Sequence, residues 1–457
     1  RLMLWVAVII LPFSILGAVA PAAFGISVAL IVALVVLALA DALGGRTALA
    51  GISVHLPEVV RLSRNREAKI ELRIRNERQK SRPLRIALAL PREIHSAVDE
   101  MEVSLPRESE WSRLLWTCQP LRRGNYRLQT AYLESTSPLG FWAVRRQVPS
   151  PSEIRVYPNL LTERKNLAAL FLNRGSFGLH AQRQVGKGRD FEKLREYIPG
   201  DGYDEIHWKA TAKRGRPVTK IFQIERTQEV YVIIDYSRLT ARTQLSDAPA
   251  PVVNPPQIVS PAGKTIGLET TVLERFVTAA LVLGLAAEQQ GDLFGLLTFA
   301  DKVGTFVRAR NGDAHYSACR DALYTLQPQP VTPDFDELST FIRLRLRRRA
   351  LLVFLTALDD PLLAASFTRN MDLICRQHLI VVNMLQPPGV FPLFSRPDVA
   401  SQDDLVTHLG GHLLWQNLRE LEKVLKRRGV RFSLLENEKM SAQLVSQYLG
   451  IKQRQLL

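Results

Sequence analysis

Val230-Tyr-Val-Ile-Ile234, running into Asp235-Tyr-Ser237, is the stretch from which the architecture unfolds. A short, almost unbroken apolar run reads as a strand buried on both faces, as in a parallel sheet covered by helices. Four more such runs follow, at Leu293 to Phe299, Leu351 to Leu355, Leu379 to Met384 and Val430 to Leu434. Between them, helical periodicity is read near Leu268 to Gln289, Ala314 to Leu326, Phe335 to Arg347, Leu362 to Arg376, His412 to Arg428 and Ser441 to Leu449. Strands alternating with helical crossovers predict an α/β, doubly wound, Rossmann-like domain over residues 230–457. A proline-bearing insertion, Thr243 to Gly267, directly follows the first strand, and loops this long are usually functional or disordered.

Upstream the pattern changes. Residues 46–155 hold short alternating segments, such as Lys69 to Arg75, Leu84 to Leu90, Glu102 to Leu105 and Tyr126 to Tyr132. Period-two alternation punctuated by turn residues predicts a small antiparallel β-sandwich. Residues 156–229 form a connector rich in Arg, Lys and Gly, with helical character expected at Leu160 to Leu172 and around Phe191 to Tyr197.

From Leu2 to Ala40 there is no charged side chain. As one helix the run would measure about 58 Å at ~1.5 Å per residue, nearly twice a bilayer's hydrocarbon thickness. Pro21 and Gly25 supply a break, giving spans from Leu2 to Ala20 and from Ala22 to about Leu43. The expectation for residues 1–45 is a membrane helical hairpin. A cleaved signal peptide is the rival, but its apolar core is only about 7 to 15 residues. The chain starts at Arg1 without a methionine, so a few leading residues are expected to be missing. Arg1 and Arg46 bracket the spans, and Lys and Arg predominate from Arg61 to Leu90. Basic flanks stay on the cytoplasmic side, so a two-pass protein of the inner (plasma) membrane with cytoplasmic soluble domains is expected.

The 457-residue chain carries a formal charge of +16, which suits an anionic leaflet as well as a nucleic acid. No nucleic-acid module accompanies it. Cys118, Cys319 and Cys375 are widely spaced, which argues for core thiols in a reducing compartment and against a disulfide framework or zinc site.

In open α/β sheets ligands gather beyond the carboxyl ends of the strands, which directs attention to Asp235 and Ser237. A carboxylate and a hydroxyl two residues apart can serve Mg²⁺ if other loops complete the oxygen shell. Thr332 is a candidate third ligand. Leu239 stands where a second serine would complete Asp-x-Ser-x-Ser, and Ala357 where a second carboxylate is expected, with Asp359 and Asp360 nearby. The shell is incomplete, and the preferred reading is that Asp235 and Ser237 bond local amides at a strand-to-loop turn. Phosphate-loop chemistry is excluded, because Gly188 follows Gly186-Lys187 where Ser or Thr is needed. His207-Trp-Lys209 resembles a phosphodiesterase element, but Arg214 replaces its downstream aspartate. Gly-x-Ser-x-Gly is absent. No catalytic residue is assigned.

The connector holds the sharpest motif, Arg189-Asp-Phe-Glu-Lys-Leu-Arg195-Glu-Tyr197-Ile-Pro199-Gly200-Asp201, then Ile206-His-Trp208-Lys-Ala-Thr-Ala-Lys213. This run resembles the signature of the prokaryotic family called domain of unknown function 58, as do Arg123-Gly-Asn-Tyr126, Ser137-Pro-Leu-Gly140 and the apolar start. The resemblance implies a von Willebrand factor A-like domain, often with an incomplete metal site, and a MoxR-type AAA+ ATPase as partner. It implies a membrane-anchored, non-enzymatic adaptor in contact with the bilayer. Arg195, Tyr197, Gly200, Asp201 and Trp208 would serve as a structural clamp, the preferred role, or as part of a docking face. The alternatives are a metal-dependent hydrolase at the strand ends or a basic nucleic-acid-binding membrane tether.

Overall fold

The computed structural model describes residues 6–19, 24–79, 83–107, 109–161, 163, 167–168, 185–186, 190–199, 202–203, 206–223, 228–244, 270–393, 395 and 401–454. The chain divides into two compact units, Arg1–Asn159 and Leu160–Leu457.

In the first unit, a π-helical turn, Val6–Ile10, leads into α1 (Leu11–Val19), and α2 (Phe24–Gly45) follows. Among the described residues α2 is the one helix long and apolar enough to cross a membrane. Pro21 lies outside the described residues. The Ser27 hydroxyl on α2 donates to the Phe13 carbonyl on α1 at 2.8 Å, so the two apolar helices touch.

Among the described residues of this unit nine strands follow α2: β1 (Ile52–His55), β2 (Val59–Ser63), β3 (Ala68–Asn76), β4 (Pro83–Leu88), β5 (Ile94–His95), β6 (Glu100–Ser104), β7 (Trp111–Pro120), β8 (Gly124–Thr136) and β9 (Ala143–Tyr157). They form two sheets, ordered β1-β3-β7-β5 and β2-β9-β8-β4-β6. Alternate residues, among them Ile70, Leu72, Ile74, Leu84, Ile86, Leu128, Leu133, Ile154 and Val156, make one core around Trp116. The sheets are not wholly antiparallel as expected, because β2 runs parallel to β9. Pro149 and Pro151 disguise β9 in the sequence. The β8/β9 register shifts between Leu128 and Thr130, a break at which a missing amide can be tolerated. Arg123-Gly-Asn-Tyr126 opens β8: Gly124 takes φ +148°, and the Tyr126 hydroxyl donates back to the Arg122 carbonyl at 3.1 Å.

The second unit starts with the connector. The stretch around Phe191 to Tyr197, expected to be helical, instead falls largely in a strand, β11 (Asp190–Glu196), after a short β10 (Val185–Gly186). It pairs antiparallel with β12 (Val218–Gln223). Tertiary pairing has overridden a local helical pattern. Between them lies α3 (Trp208–Arg214), closed by Gly215 at φ +68°. Of the expected helix Leu160 to Leu172, only residues 160–161, 163 and 167–168 are described; Leu161, Glu163, Leu167 and Ala168 are helical.

The main sheet contains β13 (Glu229–Asp235), β14 (Leu293–Phe299), β15 (Val303–Arg310), β16 (Leu351–Leu355), β17 (Leu379–Leu385) and β18 (Arg431–Leu435), in the order β15-β14-β13-β16-β17-β18. All neighbours run parallel except β14 and β15. The hairpin strand β15 was unforeseen, because Val303–Arg310 mixes apolar, Gly and Arg residues at an edge. Most of the Thr243 to Gly267 insertion lies outside the described residues.

Helices α4 (Val272–Gln289), α5 (Asp313–Leu323) and α9 (Met440–Gln453) cover one face of the sheet with Val230, Val232 and Ile234 beneath them. On the other face α6 (Phe335–Arg345), α7 (Pro361–Ile374) and α8 (Gln402–Arg427) cover Tyr231 and Ile233. Each large side chain buried this way contributes about 1.5–3 kcal/mol. Helix α8 begins well before the expected His412, at the Ser401 capping box, where Ser401 and Asp404 cap each other's backbone amides. At the opposite end of the sheet, Tyr448 of α9 donates to Asp292 and Lys452 pairs with the same carboxylate, fastening the last helix to the start of β14.

Gly295 sits where β14 passes the Tyr231 ring: a Cβ there would lie 2.4 Å from that ring and 2.9 Å from the Ala309 amide. Gly295→Ala is expected to destabilise the second unit by about 1–3 kcal/mol through overpacking. Chemical denaturation followed by the loss of burial at Cys319 would show it as an earlier midpoint, and an unchanged midpoint would refute the close approach.

Candidate functional site

Strand β13 is the point where the order of strands reverses: its crossover leads to β14 on one side, and the chain returns to β16 on the other. The crevice beyond β13 and β16 is therefore where an open α/β sheet gathers ligands. Asp235 ends β13 there, wholly buried. Its Oδ1 accepts the Ser237 amide at 2.9 Å and its Oδ2 accepts the Thr356 hydroxyl at 2.7 Å. Ser237, also wholly buried, starts a 3₁₀ turn, Arg238–Ala241, with its Oγ facing the Leu239 amide at 3.4 Å. The Thr240 hydroxyl donates to the Ser237 carbonyl at 2.9 Å. The turn is further held by Arg238 N–H bonding the Val331 carbonyl at 3.0 Å and Gln329 N–H bonding the Tyr236 carbonyl at 2.7 Å.

Burial, the largest influence, pushes the Asp235 carboxyl above its usual range, and the bonds from Thr356 and Ser237 oppose the rise. Among the described residues its hydrogen bonds come from Ser237 and Thr356 alone. The residues do not fit Mg²⁺ as arranged. Both Asp235 oxygens are engaged by protein donors, Leu239 is buried without a ligand atom, and Ala357 offers none. Thr332 is exposed, and its hydroxyl accepts from Arg238 Nε at 3.3 Å. The hydroxyl that does reach Asp235 belongs to Thr356, legible in the sequence only as the residue following a buried strand. Asp359 turns to Arg242 in an ion pair, and Asp360 caps α7 by accepting the Leu362 amide at 2.9 Å. No cluster of three or more His, Cys, Asp or Glu suited to a metal occurs among the described residues. Beside the site, on β17, the Asn383 side-chain amide is wholly buried with neither atom bonded among the described residues.

The connector motif assembles differently. Arg195 lies half-buried on β11 opposite Thr219, and the Tyr197 amide bonds the Pro217 carbonyl at 3.0 Å. Ile206 is buried and bridges Thr219. His207 caps α3, its Nδ1 accepting the Ala210 amide at 3.0 Å, which assigns the ring proton to Nε2. Gly200 and Asp201 lie outside the described residues. Trp208, expected as a clamp or as part of a docking face, is 68% exposed, with Tyr203 at 78% and Ile198 at 51%. It opens a seven-residue helix that has no buried residue. Tyr203 and Ile198 were missed as site residues, although an aromatic within a turn-rich, non-periodic stretch is the available signal.

The family described as "Protein of unknown function DUF58" matches residues 193–245 and 260–389. Over those residues the chain matches the DUF58 family. The DUF58 match takes in β11, the exposed aromatics, β13 with Asp235, and the sheet as far as β17. No relative among curated proteins matches the chain. Solved structures similar to it include the conserved hypothetical protein BatB from Bacteroides thetaiotaomicron, at 14% identity and TM-score 0.27, covering 48% of this chain and 98% of that one. An aerotolerance-related membrane protein from Bacteroides fragilis is similar at 14% identity and TM-score 0.26, over 48% of this chain and 99% of the other. The CARDB domain of a Pyrococcus furiosus protein is similar at 18% identity and TM-score 0.16, over 23% of this chain and 91% of that one.

The raised carboxyl at Asp235 has a testable sign. With its folded pKa above the unfolded value, the native state holds the proton longer, so this group's contribution falls as pH rises from about 4 through the folded pKa. Asp235→Asn keeps an acceptor for the Ser237 amide and lets Thr356 accept in turn. It is expected to unfold at a higher temperature than wild type at pH 7 and to lose that part of the pH dependence. A variant less stable than wild type at pH 7 but equal to it at pH 4 would refute this account.

Proposed function

We propose that this protein is a non-enzymatic, membrane-anchored adaptor. In this reading its apolar helices form a hairpin in the inner membrane, with the soluble units in the cytoplasm. The second unit is a von Willebrand factor A-like, Rossmann-like domain that docks a MoxR-type AAA+ ATPase. The anchor is supported by the length and apolar character of α2 and by the bond from Ser27 to Phe13 between the apolar helices. The A-like reading is supported by the order of a mostly parallel sheet with an Asp and a Ser at the end of its first strand.

The exposure of Ile198, Tyr203 and Trp208 within the family-matched segment carries the adaptor reading. Large apolar side chains left in water do nothing for the fold, whereas Trp and Tyr dominate the energetics of protein interfaces. Asp235, Ser237 and Thr356, by contrast, bond one another at the strand ends and are not left as free reactive groups. Asp235 then supports the shape of the turn that leaves β13.

The expected partner can be tested directly with the purified full chain in nanodiscs and the MoxR-type AAA+ ATPase of the same cells. Replacing Tyr203 or Trp208 by Ala should each cost about 2 kcal/mol of binding, roughly 30-fold in Kd. Because both side chains are exposed, the melting temperature should hardly move. Wild type failing to bind the ATPase would remove the adaptor reading, and unchanged affinity in both variants would remove these residues from the docking face.

A further inference from the structure

The Ser137-Pro-Leu-Gly140 run is left unused by the docking reading. It belongs to the turn between β8 and β9, and this turn grips the far end of α2. Asp41, in the last turns of that apolar helix, is 3% exposed, and its carboxylate accepts from the Ser137 hydroxyl at 2.5 Å, the Leu139 amide at 2.8 Å and the Phe141 amide at 3.1 Å. The Trp142 indole N–H donates to the Ala38 carbonyl at 2.9 Å. Gly44 and Gly45 allow the close approach, since a Cβ on Gly44 would stand 3.5 Å from Pro138 and one on Gly45 3.2 Å from Val144.

These bonds fix the loop's height along the helix. Ala38 lies about 10 Å short of the end of α2 at ~1.5 Å per residue. The 22 residues of α2 span about 33 Å at that rise, little more than the ~30 Å of hydrocarbon. A loop bonded at residues 38–41 cannot stand clear of a membrane that α2 crosses. Its side chains suit that position: Leu139 is 57% and Trp142 42% exposed, and Leu39 and Leu43, one turn apart on the helix, are exposed too. Arg46 follows the helix, and Arg145 and Arg146 follow the loop, all exposed. Apolar and aromatic groups with basic residues just beyond them match the boundary between acyl chains and phosphates.

Resting on the anchor proposed above, we propose that the loop Pro138–Trp142 is a second membrane contact, seated at the bilayer interface, with the surface of a lipid leaflet as its partner. The carboxylate of Asp41 joins loop and helix, so the first unit meets the membrane at a fixed depth rather than swinging on a tether.

The test uses the full chain with Cys375→Ser, leaving Cys118 and Cys319 buried, and a nitroxide on Leu139→Cys or, as an aqueous reference, on Leu373→Cys of α7, where the native side chain is 52% exposed. Each protein is reconstituted into phosphatidylcholine and phosphatidylglycerol vesicles and its relaxation by oxygen is compared with that by a water-soluble nickel chelate. The label at 139 should favour oxygen over nickel several-fold relative to that at 373, and removing the vesicles for detergent-free buffer is not needed for the comparison. If the protein floats with vesicles but the two labels respond alike, the loop's seat in the interface is overturned while the anchor stands. If the protein does not float with vesicles, the anchor itself is overturned and the loop's seat falls with it.

Discussion

Strand β13 is hydrogen-bonded in parallel on both edges and covered by helices on both faces, and most of the second unit follows from that enclosure. A strand so placed can carry no unpaired backbone group and no outward polar side chain. Its interior residues alternate between two separate cores, Val230, Val232 and Ile234 in one, Tyr231 and Ile233 in the other. The enclosure extends to its last residue. Asp235 still lies at zero exposure, so its charge is opposed by burial and its oxygens must be satisfied by the protein itself, which Ser237 and Thr356 do.

This explains which features were legible from residue order and which were not. The buried parallel strands announce themselves by composition, because two covered faces leave nothing to alternate. Edge and hairpin elements do not: Val303–Arg310 pairs on one side only and keeps Arg308 and Arg310, and β9 contains two prolines. Phe191 to Tyr197 was read as helix because apolar and charged residues there fit either period, and only the partner strand β12 decides between them. At the site, Asp235 and Ser237 were visible as chemistry at a strand end. Thr356 was not chosen over Thr332, since sequence offers no means of knowing which hydroxyl the sheet brings beneath a carboxylate. The exposure of Trp208 is likewise not legible: aromatic residues beside a first strand commonly pack, whereas this one opens a short helix, capped by His207 and Gly215, that has no buried residue.

The two halves of the family-matched segment invert the usual distribution of polarity. Asp235, Ser237 and Thr356 at the ends of β13 and β16 are buried and bonded to each other, while large apolar groups of the connector are exposed. For a catalyst, the useful arrangement holds reactive polar groups in an accessible cleft. For a docking protein, it holds a firm scaffold beneath exposed aromatic residues, because a rigid surface loses less entropy on association. The hydrogen bonds around Asp235 contribute that firmness without offering a ligand atom. They also satisfy a carboxylate buried at this depth: with the local amide and hydroxyl supplied by Ser237 and Thr356, it holds the geometry of the loop that leads away from β13.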